Sequence, residues 1–154
     1  MTLTSLSFGI FAALTSIGAL IDILKRKLPN ILSLVILLCG LGFALALSGW
    51  SGLGWHAAHA AVALVIGYAL FATGMFGAGD GKFYAAVAAF FPLQQAPSLA
   101  LAIVLLGGIL AFFWIGTKMV VPSLKIRKDD FAKLPYGLPI ACGAIGLAAM
   151  QWAG

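Results

Sequence analysis

Apolar residues fall in long uninterrupted runs along this chain, and the few polar residues collect in the gaps between them. The first run covers residues 6–24 and is closed by Lys25, Arg26 and Lys27; Pro29 and Asn30 break the chain before a second run at 31–47. A Gly/Trp/Ser segment (48–55) separates this from a third run at 57–76, and Gly-Ala-Gly-Asp-Gly-Lys (77–82) makes a glycine-rich break. A short apolar stretch (83–91), a turn-like segment (92–98), a run at 99–116, a polar, basic segment (117–135) and a last run at 136–152 complete the pattern. A helix needs about 20 apolar residues to cross the hydrocarbon core. The pattern predicts an all-α fold, a polytopic transmembrane helix bundle forming one domain over residues 1–154.

The number of spans turns on residues 83–91. If they do not cross, the basic cluster at Lys25–Lys27 and the 117–135 segment lie on opposite sides. If they cross as a short helix reaching toward Gln94, Lys25–Lys27, Lys82 and the five bases between Lys118 and Lys133 all share one side. The positive-inside rule favours the second arrangement, with about six spans and both termini outside the cytosol. A helix from Lys82 to Gln95 rises only roughly 21 Å against a core of roughly 30 Å, so bilayer thinning or burial among neighbours must make up the difference. Trp50 and Trp55 suit a headgroup belt.

Composition agrees with this picture. The chain is 63% hydrophobic and 8% charged, with a mean hydropathy of +1.13, which leaves too few polar residues to cover a water-soluble domain. All four acids are Asp, and nine Lys and Arg give a net charge of +5. These bases flank apolar runs, where they set topology and meet anionic membrane lipids; they do not point to nucleic acid. Cys39 and Cys142 lie inside apolar runs without a CxxC pair, so core packing is expected rather than a disulfide or a metal site. The first run is followed, not preceded, by its charges, the wrong polarity for a cleaved signal peptide.

Charges at the edge of membrane helices are costly and call for a reason. Asp22 closes the first run and Asp80 sits in the glycine break, both at the cytosolic boundary of the six-span arrangement. Two carboxylates from different helices at one depth can form a water-activating dyad. One, ionised, takes a proton from water; the other, protonated, polarises the scissile carbonyl, and the pair shares one proton. A simpler reading pairs Asp22 with Lys25 or Arg26 at helical spacing, and Asp80 with Lys82. Gly77, Gly79 and Gly81 around Asp80 allow close backbone approach of an extended substrate, or merely a tight loop. The segment lacks the spacing of a phosphate loop and follows a helix rather than a strand.

Asp22, six residues, then Pro29-Asn30 and Ser33 resembles the D-x6-P-[ND]-x2-[TS] motif of type IV prepilin peptidases, and residues 77–82 resemble that family's G-x-G-D-x-K motif. With Pro135-Tyr136-Gly137 before the last run, the chain is similar to the short members of Flp/Tad-type pilus systems. The resemblance implies an aspartic peptidase of the bacterial inner membrane, with catalytic Asp22 and Asp80. It would remove the short basic leader of a prepilin or pseudopilin substrate at the cytosolic face. Pro29, Asn30, Gly77, Gly79 and Lys82 are its supporting motif residues. Larger members carry a cytosolic insertion with two CxxC pairs and N-methylate the new terminus. This chain has neither that insertion nor its CxxC pairs, so peptidase activity alone is expected, with no cofactor and no metal.

The remaining polar residues carry weaker signals. Asn30 could orient substrate or cap the second helix, with Pro29 just before it. Lys82 could bind a carboxylate, or more simply anchor at the interface. His56 and His59 share a helix face on the side opposite the acids and read as interfacial. Asp129 and Asp130 lie among Lys125, Arg127, Lys128 and Lys133, as in a solvated mixed-charge loop. Trp114 and Trp152 read as belt or lipid-facing residues. A small ion or proton transporter and a non-catalytic scaffold of a pilus or secretion assembly are the alternatives. Transport predicts polar residues at mid-bilayer and often an inverted repeat, neither of which the sequence shows.

Overall fold

The computed structural model of the chain describes residues 2–74, 77–120 and 134–152. Lys125, Arg127, Lys128, Asp129, Asp130 and Lys133 lie outside the described residues. Within them the protein is all helical: α1 (Leu3–Lys25), α2 (Asn30–Ala72), α3 (Ala78–Ala88), a 3-10 turn (Leu93–Gln95), α4 (Ala96–Val120) and α5 (Gly137–Trp152). Three segments are long and apolar enough to cross a membrane, Leu3–Lys25, Asn30–Ala72 and Leu93–Thr117. The chain is a membrane helical bundle.

The Thr2 hydroxyl opens α1 by accepting the Ser5 N–H at 3.2 Å. Arg26 ends it in the left-handed conformation, φ 52, its N–H returned to the Asp22 carbonyl at 2.8 Å. The 43 residues of α2 would reach about 64 Å if straight, roughly twice the hydrocarbon core. The helix instead doubles back at Gly49, whose φ of 65 and ψ of −163 are open to glycine alone. The Gly/Trp/Ser segment expected as a loop at 48–55 is therefore helical on both sides of a single reversed residue. Gly52 packs directly on the Ser48 side chain, where no Cβ would fit.

Contacts with α3 show that the two arms of α2 run in opposite directions. Beside the first arm, α3 runs parallel: Lys82 meets Asn30, and Gly40 packs on Ala89. Beside the second it runs antiparallel: Gly81 packs on Gly67, and Ala89 meets His56. A Cβ at Gly67 would come within 2.7 Å of the Gly81 Cα, so the two backbones touch. The inward stripes are mostly small residues, Ser33, Gly40 and Ala44 on one arm and Ala60, Ala63 and Gly67 on the other, with Ile36 and His59 as the large exceptions. Small residues let membrane helices approach closely where lipid leaves no hydrophobic incentive to pack.

Residues 83–91 accordingly form the centre of the bundle. Phe83 through Phe91 are all buried, as expected of a helix that is apolar on every side. The last turns tighten to i→i+3 bonds ending at Phe91, before Pro92. A helix that stops inside an apolar bundle leaves carbonyls without partners. His56 Nδ1 donates to the Ala89 carbonyl and His59 Nδ1 to the Phe91 carbonyl, each at 2.9 Å. His59 is fully buried. Both histidines thus face the bundle and cap α3, at the end of that helix opposite the acids; the interfacial reading did not foresee the capping.

The buried stripe of α1, Ser7, Phe11, Thr15, Gly18, Ala19 and Asp22, recurs every three or four residues and faces α3 and α5. Gly18 leaves room for the Phe83 ring. Phe11 meets Phe90, Phe91 and Trp152 with ring centroids 4.7, 5.7 and 5.8 Å away. Trp152 also stacks on Phe91 at 5.6 Å, so it packs against the bundle. Cys142 is exposed and Cys39 half-buried; the expected core role fails for Cys142. On the outside, α4 lies against α5, Gly143 seated on Ala102 and Ile103, and turns Leu101, Val104, Phe112 and Phe113 outward.

Gly67→Ala and Gly81→Ala should each destabilise the bundle by about 1–3 kcal/mol, the usual cost of forcing atoms into a packed contact. Gly42→Ala, with open space around the added methyl, should be neutral or slightly stabilising. Thermal unfolding of the detergent-solubilised protein checks all three.

Candidate active site

The C-terminus of α1 and the N-termini of α2, α3 and α5 meet at one end of the bundle. Asp22 is the last member of the inward stripe of α1, so helical phase turns it toward the neighbouring helices, and it is 5% exposed. Its Oδ2 accepts the backbone N–H of Gly137 at 2.8 Å in a buried hydrogen bond. Asp80 is the third residue of α3 and half-buried. Its Oδ2 accepts the N–H of Gly77, the residue before the helix, at 2.9 Å. Each carboxylate sits at a helix N-terminus, where free N–H groups and the helix dipole favour negative charge.

Both acids open onto one cleft of about 700 Å³, together with Asn30, Gly77, Gly79, Lys82, Arg26, Lys27 and Tyr136. Of the residues nominated from sequence, only Pro29 is off its wall. Pro29 precedes α2, and its carbonyl accepts the N–H groups of Leu32 and Ser33. Asn30 is the first residue of α2 and not its cap. Its side-chain oxygen accepts a hydrogen bond from Lys82 Nζ at 3.1 Å, which joins the two motifs across the cleft. Lys82 is thus tied to the site and is more than an interfacial anchor. Gly79 packs on Leu28, so the α1–α2 connection lies directly on the glycine break. The Arg26 guanidinium lies 5.3 Å from the ring centroid of Trp114, a cation–π contact that brings the end of α4 to the same region.

Gly137 was not among the residues nominated for chemistry. Its signal was the Pro135-Tyr136-Gly137 sequence ahead of the last helix. A smaller cavity of about 220 Å³ is lined by Ser7, Gly40, His56 and Trp152 and holds no acid. Among the described residues, no three of His, Cys, Asp or Glu come together in a way that could hold a metal.

A Cβ built at Gly79 would lie 3.3 Å from the Leu28 Cβ, at the short edge of the disulfide range of roughly 3.5–4.5 Å. A Leu28→Cys/Gly79→Cys protein, with Cys39 and Cys142 replaced by Ala, should therefore form an intramolecular disulfide on mild oxidation. A mobility shift in non-reducing gels reads it out. Two thiols that stay free would mean that the connection does not rest on the glycine break.

The profile of the type IV leader peptidase family matches residues 9–112. That stretch holds Asp22, Pro29, Asn30 and the whole 77–82 segment. No curated protein and no solved structure shows significant similarity to the chain. With more than half of its length matched and both acid-bearing motifs inside the match, the chain belongs to the type IV leader peptidase family.

Proposed function

We propose that this membrane protein of a peptidase family is a prepilin peptidase in which Asp22 and Asp80 are the catalytic pair. The observation that carries the reading is the single cleft onto which both carboxylates open from different helices. In the reaction, one carboxylate takes a proton from a water molecule as its oxygen attacks the scissile carbonyl. The other, protonated, hydrogen-bonds the carbonyl oxygen as it gains charge. Collapse of the tetrahedral intermediate breaks the C–N bond, and a proton returns to the departing amine. The products are the leader with a new carboxylate and the mature chain with a new amine. The chemistry needs no cofactor.

The substrate of this reading is a type IV prepilin-like precursor, of the Flp/Tad type by resemblance, cut after its short basic leader. The site faces the cytosol of a bacterial inner membrane. That orientation rests on the bases near the acids: Arg26, Lys27 and Lys82 line the same cleft, and cytosolic loops are enriched in Lys and Arg. Counting each arm of α2, and α3 with its tight turns, gives six spans with the N-terminus outside.

Asp22→Asn and Asp80→Asn should each lower leader cleavage by about 10²–10⁴-fold. The double variant should be hardly worse, because a shared-proton pair acts as one unit. Intact-mass analysis of a co-expressed prepilin reads the outcome, with immunoblots to confirm membrane levels. Full cleavage by either well-expressed single variant would end the proposal.

Reporter fusions after Lys27, Lys82 and Lys128 should all read cytosolic. A periplasmic signal at Lys128 alone would mean that residues 83–91 do not cross.

A further inference from the structure

We infer that Gly137 is a positioning residue of the peptidase site, fixing the Asp22 carboxylate through its backbone N–H and through its lack of a side chain. The inference rests on the reading of Asp22 as half of the catalytic pair. A carboxylate that is 5% exposed within an apolar bundle needs a donor, because an unpaired buried charge is among the costliest groups a protein can hold. Gly137 supplies it at 2.8 Å. The N–H belongs to the first residue of α5, so the helix itself leaves it free. The bond engages Oδ2.

Glycine is required here for space, not for backbone conformation. The positive-φ glycines among the described residues are Gly49 and Gly74, so the φ of Gly137 is one that any residue can adopt. A Cβ at 137, however, would lie 2.8 Å from Asp22 Oδ2, 2.9 Å from its Cβ and 3.1 Å from its Cγ. Any side chain would push the carboxylate out of place. The donor is held firmly: Pro139, Ile140, Ala141, Ala144 and Ala148 are buried, and the Tyr136 carbonyl accepts the Ile140 N–H at 3.2 Å. The end of α5 therefore acts as a rigid stop against which the last turn of α1 sets its acid.

A purely structural role, in which the bond only docks α5 on α1, predicts lower stability with unchanged turnover in whatever protein remains folded. The full chain in detergent, assayed on a purified prepilin with a short basic leader, separates the two. Gly137→Ala adds the methyl and keeps the N–H. Gly137→Pro adds bulk and removes the N–H, and proline is well tolerated at the first position of a helix. Gly137→Ala should lower kcat roughly 10- to 100-fold, as expected for a misplaced catalytic group, with KM within about twofold. Gly137→Pro should fall to the level of Asp22→Asn. A Gly137→Pro protein with wild-type kcat, alongside an inactive Asp22→Asn, would overturn this inference alone; an active Asp22→Asn would overturn the catalytic reading beneath it. If the Gly137 variants fail to accumulate, NMR decides. Tyr136-Gly137 is the chain's one Tyr-Gly pair, so carbonyl-13C-tyrosine with 15N-glycine labelling isolates the Gly137 amide. That signal should move with pH in the wild type and stay still in Asp22→Asn. An amide indifferent to pH in the wild type would refute the bond.

Discussion

A helix of eleven residues whose far end is buried in a membrane bundle must find partners there for its last polar groups without recourse to water, while its start opens onto the cleft. In α3 the two ends are satisfied by different means. At the start, the Asp80 carboxylate reaches back to the Gly77 N–H. At the finish, His56 and His59 reach across from the second arm of α2 to the carbonyls of Ala89 and Phe91. The rest of the architecture follows from housing this core. The arms of α2 enclose it, so the chain must reverse at Gly49, and their inner faces must be mostly small. The stripe of α1 closes another side, with Phe11 filling the space beside Phe90, Phe91 and Trp152. Asp80 therefore has a structural duty as well as a place in the cleft.

Helix limits were legible because the apolar runs end at charges and glycines: the run at 6–24 became Leu3–Lys25, and the glycine break became the start of α3. Hydropathy could not say which face of each helix points inward, since lipid tails and a protein core are equally apolar. In α2, side-chain size carries much of that information, although Ile36 is also fully buried. Ser33, Gly40, Ala44, Ala63 and Gly67 mark the interior, whereas Leu38, Val65 and Phe112 point out. The histidine caps were missed for a related reason. Polarity suggested an interface, but the carbonyls that they serve lie more than thirty residues away along the chain, beyond any local pattern.

In the candidate site, the side chains with titrating or hydrogen-bonding groups were legible and the backbone contribution was not. Motif spacing drew attention to Asp22, Asp80, Asn30 and Lys82, and all four line one cleft. Local spacing also offered Lys25 and Arg26 as partners for Asp22. The Arg26 charge does act on Asp22, but the buried hydrogen bond comes from Gly137, a residue whose contribution is an N–H and an empty space. Neither is written in a side chain, so only the assembled helices reveal them. The same holds for Gly67 and Gly81, whose meeting depends on two helices coming together.

Two contacts of α3 with the second arm of α2 lie at its opposite ends: the glycine crossing near Asp80 and the histidine caps near Pro92. Contacts at two separated points resist sliding and rolling better than one. The height of Asp80 relative to Asp22 is thus indexed partly from the far end of the molecule. The mechanical reference for the acid pair extends well beyond the cleft, to imidazole rings that touch neither carboxylate.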